Sequence, residues 1–483
     1  MPTVPAPTIE TDYLIIGAGA VGMAFADTML DEDPDAHITL VDRHAKPGGH
    51  WNDAYPFVAL HQPASYYGLN STPLGNNQID TDGPNKGYYE LATGTEVCAY
   101  YERVMNTRFL PSGRVAYLPM TDYLGNHRIS GILSGEERAV KVRRKVVDAT
   151  YYNTSVPATH TRRFTVAQGT QIAIPNDLPG LWMRSNEIPA HYAILGAGKT
   201  AMDVAVWLLR SGVPQDNITW VRPRETWMFN RANTQSGPAF FEQLMQAQLT
   251  LMNAVADAET ADDLFLKLER DDFMLRIDPD VLPTKFHFPV ISHGELELLR
   301  SVKNVVRMGR LTAIAPGELM FPTGTVAVPE NTLFVDCTAT AVAVRETRPQ
   351  FEDGLITLQM MHVPLVALNA AVAAFIEANF DNDADKNTLG EVSAFVDSAH
   401  EYPIALLTTT MNRIRWSMSK PISDWLAKSR LDPAGPLIAS LPKGDPRFAL
   451  LGKVQDATRA ALPNLHRLAA LGALPAAPQD RSR

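Results

Sequence analysis

A glycine-rich turn near the start of the chain constrains its fold more than any other feature. Residues 13–16, Tyr-Leu-Ile-Ile, read as a buried strand that runs towards a helix-forming segment. Between the two stand three glycines in GxGxxG spacing: Gly17, Gly19 and Gly22. A strand, a tight turn and a helix in this order bring bare backbone amides to the helix N-terminus, where a pyrophosphate binds. The turn therefore predicts a dinucleotide-binding β-α-β unit.

A second turn of the same kind follows at residues 192–201, Tyr-Ala-Ile-Leu-Gly-Ala-Gly-Lys-Thr-Ala. Gly196 and Gly198 take the first two glycine positions, and an alanine replaces the third, a change that the fingerprint tolerates. Lys199 and Thr200 lie in the turn, where they can offer a cation and a hydroxyl to a pyrophosphate. Two such units in one chain are more specific than one, and they predict two nucleotides that exchange electrons.

The second turn also fits a relaxed P-loop pattern, Ala193-x4-Gly198-Lys199-Thr200. In a P-loop, a long loop after the strand wraps the β-phosphate. Here residues 193–195 belong to the strand itself, so the loop is too short. The short loop therefore argues against an ATPase.

The two units differ in the residue that ends their second strand. Asp42 lies 20 residues after Gly22, where a carboxylate accepts hydrogen bonds from an adenosine ribose and repels a 2′-phosphate. The first unit therefore favours FAD or NAD. In the second unit, Arg222 takes the matching position, and Arg224 follows two residues later. Guanidinium groups bind phosphate oxygens through two hydrogen bonds, so the second unit favours NADP over NAD.

Composition and charge exclude several classes of protein. The 483 residues are enough for two or three domains, and 45% hydrophobic with 20% charged residues is typical of a globular enzyme. A net charge of −10 without a basic stripe argues against a nucleic-acid partner. Cys98 and Cys337 lie far apart and form no CxxC pair, which excludes a dithiol relay. We also expect no metal.

The sequence contains no evident targeting or membrane segment. The first eight residues have neither the basic start nor the apolar core of a secretory signal. The longest apolar stretch, residues 364–375, contains Asn369 and is too short to span a bilayer. We therefore expect a cytoplasmic protein without a transmembrane segment.

The rest of the chain alternates between loops, strands and helices. Residues 43–90 are rich in Gly, Pro, Asn and Tyr and predict loops. Short alternating runs over 113–174 predict a β-meander, followed by a linker at 175–188. Ser292 and Glu295 predict a capping box at the start of a helix. Further helices are predicted at about 96–105, 238–280, 364–379 and beyond 390, and strands at 304–308, 311–315, 325–328 and 333–336.

Residues 42–51, Asp-Arg-His-Ala-Lys-Pro-Gly-Gly-His-Trp, extend the first unit. A strand, an acid, the basic Arg43 and then Gly-Gly-x-Trp resemble the FAD domain of flavin-containing monooxygenases and their Baeyer–Villiger relatives. The resemblance implies that Arg43 belongs to the cofactor site. It also implies that Gly48 and Gly49 let the backbone approach the flavin, and that Trp51 forms a wall of its site.

Two further segments support the resemblance. Residues 167–169, Ala-Gln-Gly, and 337–339, Cys-Thr-Ala, are similar to the family's two Ala-Thr-Gly crossings between nucleotide domains. The implied fold is α/β, with two Rossmann-type domains and the NADP domain inserted into a discontinuous FAD domain. We expect the FAD domain at 1–180 and 330–380, the NADP domain at 185–329 with a helical insertion at about 231–300, and a helical C-terminal extension with a frayed tail at 381–483.

The resemblance also implies a reaction. NADPH passes a hydride to FAD, and the reduced flavin forms a C4a-(hydro)peroxyflavin with oxygen, which oxygenates a nitrogen, sulfur or carbonyl centre of a small organic substrate. Gln62 takes the place of the family's polar active-site residue, and Trp51 and Asn70 are further candidates. The family's Phe-x-Gly-x-x-x-His-x-x-x-Trp/Tyr fingerprint is missing from residues 175–190. Two alternatives therefore stay open: an NADPH-dependent flavin reductase or dehydrogenase, and a non-catalytic nucleotide-binding regulatory protein.

Overall fold

The computed structural model describes residues 9–184, 188–342 and 345–473. The strands are β1 (Ile9–Ile16), β2 (Ile38–Val41), β3 (Val115–Leu118), β4 (Thr121–Gly125), β5 (Arg128–Gly131), β6 (Glu137–Asp148), β7 (Thr165–Val166), β8 (Ile172–Ala173), β9 (His191–Leu195), β10 (Ile218–Val221), β11 (Met228–Asn230), β12 (Met274–Leu275), β13 (Val290–Ile291), β14 (Val305–Val306), β15 (Ala313–Ala315), β16 (Glu318–Phe321), β17 (Gly324–Ala327), β18 (Thr332–Asp336), β19 (Phe351–Glu352) and β20 (Leu355–Thr357). The α-helices are α1 (Ala20–Glu32), α2 (Gly94–Val104), α3 (Leu178–Arg184), α4 (Lys199–Arg210), α5 (Phe241–Asp257), α6 (Ala261–Arg270), α7 (His293–Ser301), α8 (Val366–Asn379), α9 (Asp383–Leu389), α10 (Tyr402–Met418), α11 (Lys420–Leu426), α12 (Gly435–Ser440) and α13 (Arg447–Gly472).

The first sheet is built around β1 and has the strand order β19-β20-β6-β1-β2-β3. β1 pairs in parallel with β2 on one side and with β6 on the other. Tyr13, Leu14 and Ile15 are buried, as expected for a strand inside a parallel sheet that is covered on both faces. Helix α1 packs against α8, and their apolar side chains share a core with β1.

The chain leaves the first sheet after β6 and returns to it at residues 351–357. There β20 pairs in parallel with β6, and β19 forms a hairpin with β20. In between, the chain builds a second parallel sheet, β14-β10-β9-β18-β8, whose β9-α4-β10 unit repeats the arrangement of β1-α1-β2. The predicted α/β fold with two Rossmann-type units is therefore confirmed. Where one domain ends and the next begins stays a prediction.

Two smaller sheets and a helical layer complete the molecule. The sheets have the orders β17-β16-β15-β7 and β12-β11-β13. Helices α5, α6, α10 and α13 pack together, so residues 231–300 and the C-terminal residues beyond 380 share one hydrophobic core. Aromatic side chains dominate this core: Trp227, Phe229, Phe265, Phe273, Phe286, Phe288 and Tyr402. The Phe and Met side chains of these segments pack in this core.

Several local predictions are wrong. Residues 113–174 do not form a single meander, because β3 pairs in parallel with β2 while β7 and β8 pair with later strands; only β4, β5 and β6 are antiparallel neighbours. Helices α3 and α9 and strand β16 were not predicted, whereas helix beyond residue 390 is confirmed by α10 to α13. The errors in strand pairing share a cause: strand partners are set by contacts far apart in the chain, which local alternation does not encode.

The structure also bears on the ends of the chain and on membranes. The first eight residues and residues 474–483, most of the segment predicted to be a frayed tail, lie outside the described residues. Within the described ranges, no helix has the length and apolar character needed to cross a membrane.

Candidate active site

The first glycine turn leads into the N-terminus of α1 and leaves the backbone amides there free of side chains. Gly17 has φ +98°, a conformation that favours glycine, and a Cβ on Gly22 would overlap the carbonyl oxygen of Gly17. Gly19 is the N-cap of α1, and no described side chain caps its amides. The unpaired amides of a helix N-terminus attract anions. The structure thus brings together the three predicted glycines in a turn that can hold a pyrophosphate.

The Gly-Gly pair of residues 48–49 closes on this turn. The Gly48 amide donates to the Ala18 carbonyl at 2.9 Å. Gly49 has φ +56°, and a Cβ on it would lie 2.9 Å from Cα of Gly19. Backbone therefore faces backbone, with no space for a side chain. The two glycine motifs, 30 residues apart, form one surface.

Asp42, which follows β2, has both carboxylate oxygens engaged. Oδ2 accepts a hydrogen bond from the Ala18 amide at 2.6 Å, and Oδ1 accepts from the amide and Nδ1 of His44, both at 2.8 Å. On the other side of the ring, Nε2 of His44 lies 2.8 Å from Oδ2 of Asp53. The hydrogen bond to Asp42, aided by that to Asp53, raises the pKa of His44 to about 9. The imidazole is therefore protonated at neutral pH.

The cluster around Asp42 keeps a negative charge. Two carboxylates and one imidazolium leave a net charge of −1, which still disfavours a 2′-phosphate. Arg43 is exposed, and its Nη2 lies 3.3 Å from Oδ1 of Asp122. On β3, the Tyr117 hydroxyl is buried and has no hydrogen-bond partner among the described residues. Burial and the charge of Asp42 raise the pKa of Tyr117, so the hydroxyl is a free donor near the carboxylate.

Two histidines are partly accessible: His50 lies next to Gly49 at the first turn, and His61 lies within electrostatic reach of the Lys199–Glu295 network. Burial lowers the pKa of His50 to about 4 and that of His61 to about 3. Both imidazoles are therefore neutral at pH 7. Trp51 and Gln62, beside them in the chain, are also partly accessible. The indole of Trp51 stacks on His50 and donates from Nε1 to the hydroxyl of Tyr67 at 2.9 Å.

Asn70, the third predicted catalytic residue, lies apart from the turn. Its Oδ1 accepts a hydrogen bond from Oγ of Ser429 at 2.8 Å. The next residue, Ser71, donates from its amide to Asp27 at 2.9 Å, about 10 Å along α1 from the turn. The role of Asn70 beside a flavin stays a prediction.

The second glycine turn is more open than the first. Gly196 has φ +123°, and a Cβ on it would lie 2.6 Å from the Cys337 carbonyl oxygen. Gly198 is exposed, and a Cβ there would meet no described atom within 4 Å. Gly198 is also the N-cap of α4, again without a side-chain cap in the described structure. Trp220 of β10 closes the floor of the turn by donating from Nε1 to the Gly196 carbonyl at 2.8 Å.

Arginines gather at the end of β10. Arg222 is only 3% exposed, and its guanidinium lies 4.9 Å from the centre of the Trp220 ring. Its Nε is 3.4 Å from Oε1 of Glu225, but within the described residues neither Nε nor Nη1 forms a hydrogen bond. Burial lowers the pKa of Arg222, and burial and Arg310 lower that of the exposed Arg224. The site thus offers unpaired guanidinium donors.

Two further arginines lie at this edge of the sheet, and the spacing of the glycine motif does not predict them. Arg307 and Arg310 follow β14, which pairs in parallel with β10. Carboxyl ends of parallel neighbours meet at one edge of a sheet, so these residues join Arg222 and Arg224 there. Arg307 donates from Nε to Glu225 at 3.0 Å and from Nη2 to Asp278 at 2.6 Å. The strand order β14-β10-β9 is the signal that was missing from the sequence.

A buried charge network joins the two units at Lys199. Its Nζ forms an ion pair with Asp203 and lies 3.8 Å from Oε1 of Glu295. Arg231 contacts the other oxygen of Glu295 at 2.6 Å. Burial alone would raise the pKa of Glu295, but Lys199 and Arg231 lower it to about 2. Each cation of the network therefore has an acidic partner.

The network reaches the first unit through Tyr55. Its hydroxyl donates to Oδ2 of Asp203 at 2.7 Å and also contacts Thr200, the second polar residue of the turn. Burial raises the pKa of Asp203, although Lys199 opposes this shift. Tyr55 belongs to the loop that also carries His61 and Gln62. Tyr55 thereby connects this loop, which follows the first glycine turn, to the N-terminal end of α4.

No metal site is found in the described part of the chain: no group of three or more His, Cys, Asp or Glu side chains is arranged to hold an ion. The carboxylates named above are engaged by His44, Lys199 or the arginines. The chemistry that the two turns allow is therefore the binding of anionic nucleotides.

Comparison with known proteins agrees with this geometry. The family model described as "NAD(P)-binding Rossmann-like domain" matches residues 15–66, from β1 through the Gly-Gly pair. The solved structure of a polycyclic ketone monooxygenase from the thermophilic fungus Thermothelomyces thermophila superposes with a TM-score of 0.50 at 12% identity, covering 98% of this chain and 90% of that one. This likeness concerns the fold, and it agrees with the resemblance found in the sequence.

Relatives of higher identity come from mycobacteria. "Uncharacterized protein Rv2000" from Mycobacterium tuberculosis (strain ATCC 25618 / H37Rv) is 42% identical over 437 residues, which cover 90% of this chain and 80% of the relative. The "Uncharacterized protein Mb2023" from Mycobacterium bovis (strain ATCC BAA-935 / AF2122/97) matches with the same identity and coverage. The chain therefore belongs to the same protein family as Rv2000 and Mb2023.

Proposed function

We propose that the protein is an FAD-dependent oxidoreductase that takes a hydride from NADPH and oxygenates a small organic substrate with molecular oxygen. One observation carries the proposal: the two β-α-β units carry opposite charges at the end of their second strands. The cluster of Asp42, His44 and Asp53 is negative, whereas the end of β10 gathers arginines. Unlike charges at matching positions select unlike dinucleotides.

The residues of the first unit fit FAD. The uncapped N-terminus of α1 and the Gly-Gly pair would hold the pyrophosphate, since Gly19 and Gly49 present backbone alone. The ribose would bind at Asp42, where the unpaired hydroxyl of Tyr117 supplies a donor. Trp51 would shield the flavin from water. When bound, FAD supplies the hydride acceptor and the reactivity towards oxygen, which no side chain of the protein can provide.

The residues of the second unit fit NADPH. Gly198 leaves the turn open above α4, and Lys199 and Thr200 stand at its edge for the pyrophosphate. Nε and Nη1 of Arg222 are buried donors without partners, which a 2′-phosphate would satisfy. Arg224 is exposed at the same edge of the sheet.

Side chains between the two units would orient the substrate. His61 and Gln62 are partly accessible, and burial keeps His61 neutral. Neutral polar groups can orient a ketone, amine or thioether by hydrogen bonds without binding an anion. Lys199 and Arg231 are already neutralised by Asp203 and Glu295. A small uncharged organic substrate is therefore the class that we propose.

The proposed division into domains follows the strand order only in part, because β8 and β18, which fall in the ranges given to the FAD domain, pair in the sheet of β9. Residues 1–180 and 330–380 would form the FAD domain, since β19 and β20 rejoin the sheet of β1. Residues 185–329 would form the NADP domain. The return of β20 to β6 supports an insertion of this kind.

A second candidate is an NADPH-dependent flavin reductase that does not oxygenate. The missing histidine fingerprint in residues 175–190 favours it. Oxygen uptake and hydrogen peroxide formation, measured with NADPH and a panel of ketones, amines and thioethers, separate the two functions. An oxygenase consumes NADPH with less than equimolar peroxide when its substrate is present. Peroxide equal to the NADPH consumed with every compound of the panel would refute oxygenation.

A further inference from the structure

Two consecutive residues near the C-terminus hold a loop of the first nucleotide unit. Ser429 and Arg430 follow α11, and we call them the C-terminal clamp. Oγ of Ser429 donates to Oδ1 of Asn70 at 2.8 Å. The guanidinium of Arg430 donates to three backbone carbonyls, those of Ser65, Tyr67 (2.7 Å) and Thr72 (3.0 Å). The clamp therefore fixes residues 63–72, which we call the anchored loop.

The anchored loop leads directly to the proposed flavin wall. Tyr67 is buried in it, and its hydroxyl accepts the Nε1 hydrogen bond of Trp51 at 2.9 Å. Arg430 thus binds the backbone of the residue whose side chain orients the indole. Gln62 stands just before the same loop. A shift of the loop would move both Trp51 and Gln62.

The partners of Arg430 differ from those of an ordinary stabilising ion pair. Arg108, which lies close by, pairs with the carboxylate of Asp27 at 2.8 Å. Within the described ranges the hydrogen-bond partners of Arg430 are the three carbonyls and the hydroxyl of Tyr100; burial lowers its pKa, and the charge of Asp27 opposes this shift without a hydrogen bond. Arg430 is partly buried, and a partly buried cation without a hydrogen-bonded carboxylate costs stability. Its planar fork, however, can span several carbonyls at fixed angles, which a lysine cannot do.

We propose that Arg430 is a positioning residue of the flavin site, which acts through Tyr67 on Trp51. The C-terminal segment would then be part of the flavin-binding unit and not a separate extension. The inference rests on the proposed function, since it concerns the wall of the same site. It assigns a role to a region in which the sequence shows no recognisable motif.

The test measures the affinity of the full-length protein for FAD by quenching of flavin fluorescence. Arg430→Gln removes the fork, Arg430→Lys keeps the charge but not the geometry, and Lys428→Gln is a matched control at an exposed position two residues away. We expect Arg430→Gln to raise the Kd for FAD at least tenfold and Arg430→Lys to have an intermediate effect. Lys428→Gln should leave the Kd within twofold of the wild type. Thermal unfolding of each apoprotein reports whether the variant folds.

A double-mutant cycle separates positioning from general destabilisation. If Arg430 acts through the indole, its replacement should weaken FAD binding much less when Trp51 is already phenylalanine. We therefore expect a tenfold effect in the wild-type background and less than a threefold effect in the Trp51→Phe background. Equal effects in both backgrounds would overturn the inference, because they would show that Arg430 acts independently of Trp51.

The outcomes distinguish the inference from the proposed function. A wild-type protein that binds no FAD contradicts the proposed function, whatever the variants do. A wild type that binds FAD together with an Arg430→Gln variant of equal affinity overturns the inference alone. If Arg430→Gln does not fold, Ser429→Ala, which removes only the contact to Asn70, should still raise the Kd about threefold. An unchanged Kd in that variant would count against the clamp.

Discussion

Replacing Arg222 by methionine tests the assignment of the second unit to NADPH. The side chain is buried and stacks on Trp220, so methionine keeps the apolar contact and removes the charge. Glu225 remains paired with Arg307, whose Nε lies 3.0 Å from Oε1, so no buried carboxylate is left without a partner. We therefore expect the variant to fold.

The magnitude follows from the free donors of Arg222. Its Nε and Nη1 have no hydrogen-bond partner in the part of the chain that the structure describes. A hydrogen bond to a charged group contributes about 1.5–3 kcal/mol, which corresponds to a rise in the Kd for NADPH of roughly 10–150-fold. NADH has no 2′-phosphate, so its Kd should change by less than about twofold.

The assay is a titration of each nucleotide against wild type and variant by isothermal calorimetry at one salt concentration. Arg210→Met is the matched control, because Arg210 ends α4, about 16 Å along the helix from the turn. It should leave both Kd values unchanged. Equal weakening of NADPH and NADH binding by Arg222→Met, or no weakening of NADPH binding, would contradict the assignment of Arg222 to the 2′-phosphate.

Three further predictions concern the turns and their charges. Gly49→Ala should cost about 1–2 kcal/mol for the left-handed backbone alone and more for its contact with Gly19, so thermal unfolding should occur well below that of Gly113→Ala, which has a similar φ of +68° and open space. The raised pKa of His44 stabilises the fold fully below pH 6.5, and this contribution is lost as the pH rises through about 9. Urea unfolding should therefore show stability falling over this range in the wild type and much less in His44→Gln. Asp203→Asn removes one of the two acidic partners of Lys199, so NADPH and NADH should both bind about fivefold more tightly, for about 1 kcal/mol; weaker binding of either nucleotide would argue against a role of Lys199 at the pyrophosphate.

Local sequence was sufficient where the structure depends on neighbours in the chain. Both β-α-β units form as predicted, because apolar strand residues, glycine spacing and a helix-forming run are all local signals. The Ser292–Glu295 capping box is also confirmed, with Glu295 accepting from the Ser292 amide at 2.8 Å. Only the structure reveals that the same Glu295 pairs with Arg231.

Sequence reasoning missed the features that depend on which strands become neighbours. Arg307 and Arg310 reach the second nucleotide unit because β14 lies beside β10, and nothing local to residues 305–310 announces that pairing. The link between Tyr55 and Asp203 joins residues 148 positions apart. Contacts of this kind follow from the packing of the two sheets, which spacing rules do not describe.

The residues proposed to act near the flavin include one whose position the motif indicates and one whose partner it does not. Trp51 lies beside the first turn, as its motif suggested, since Gly49 brings it there. Asn70 was chosen from sequence position, but its side chain binds Ser429 of the C-terminal clamp. A partner 359 residues away could not have been inferred from its neighbours.

We propose that one chain holds a flavin and a phosphorylated nicotinamide nucleotide close enough for hydride transfer. The most direct test of this proposal is an anaerobic titration of the FAD-loaded, full-length protein with NADPH, followed by the visible absorption of the flavin. We predict that the protein takes up FAD and that NADPH bleaches the flavin band at a lower concentration than NADH does. A protein that remains colourless after incubation with FAD and removal of the free cofactor, or a bound flavin that NADPH does not bleach, would contradict the proposed function.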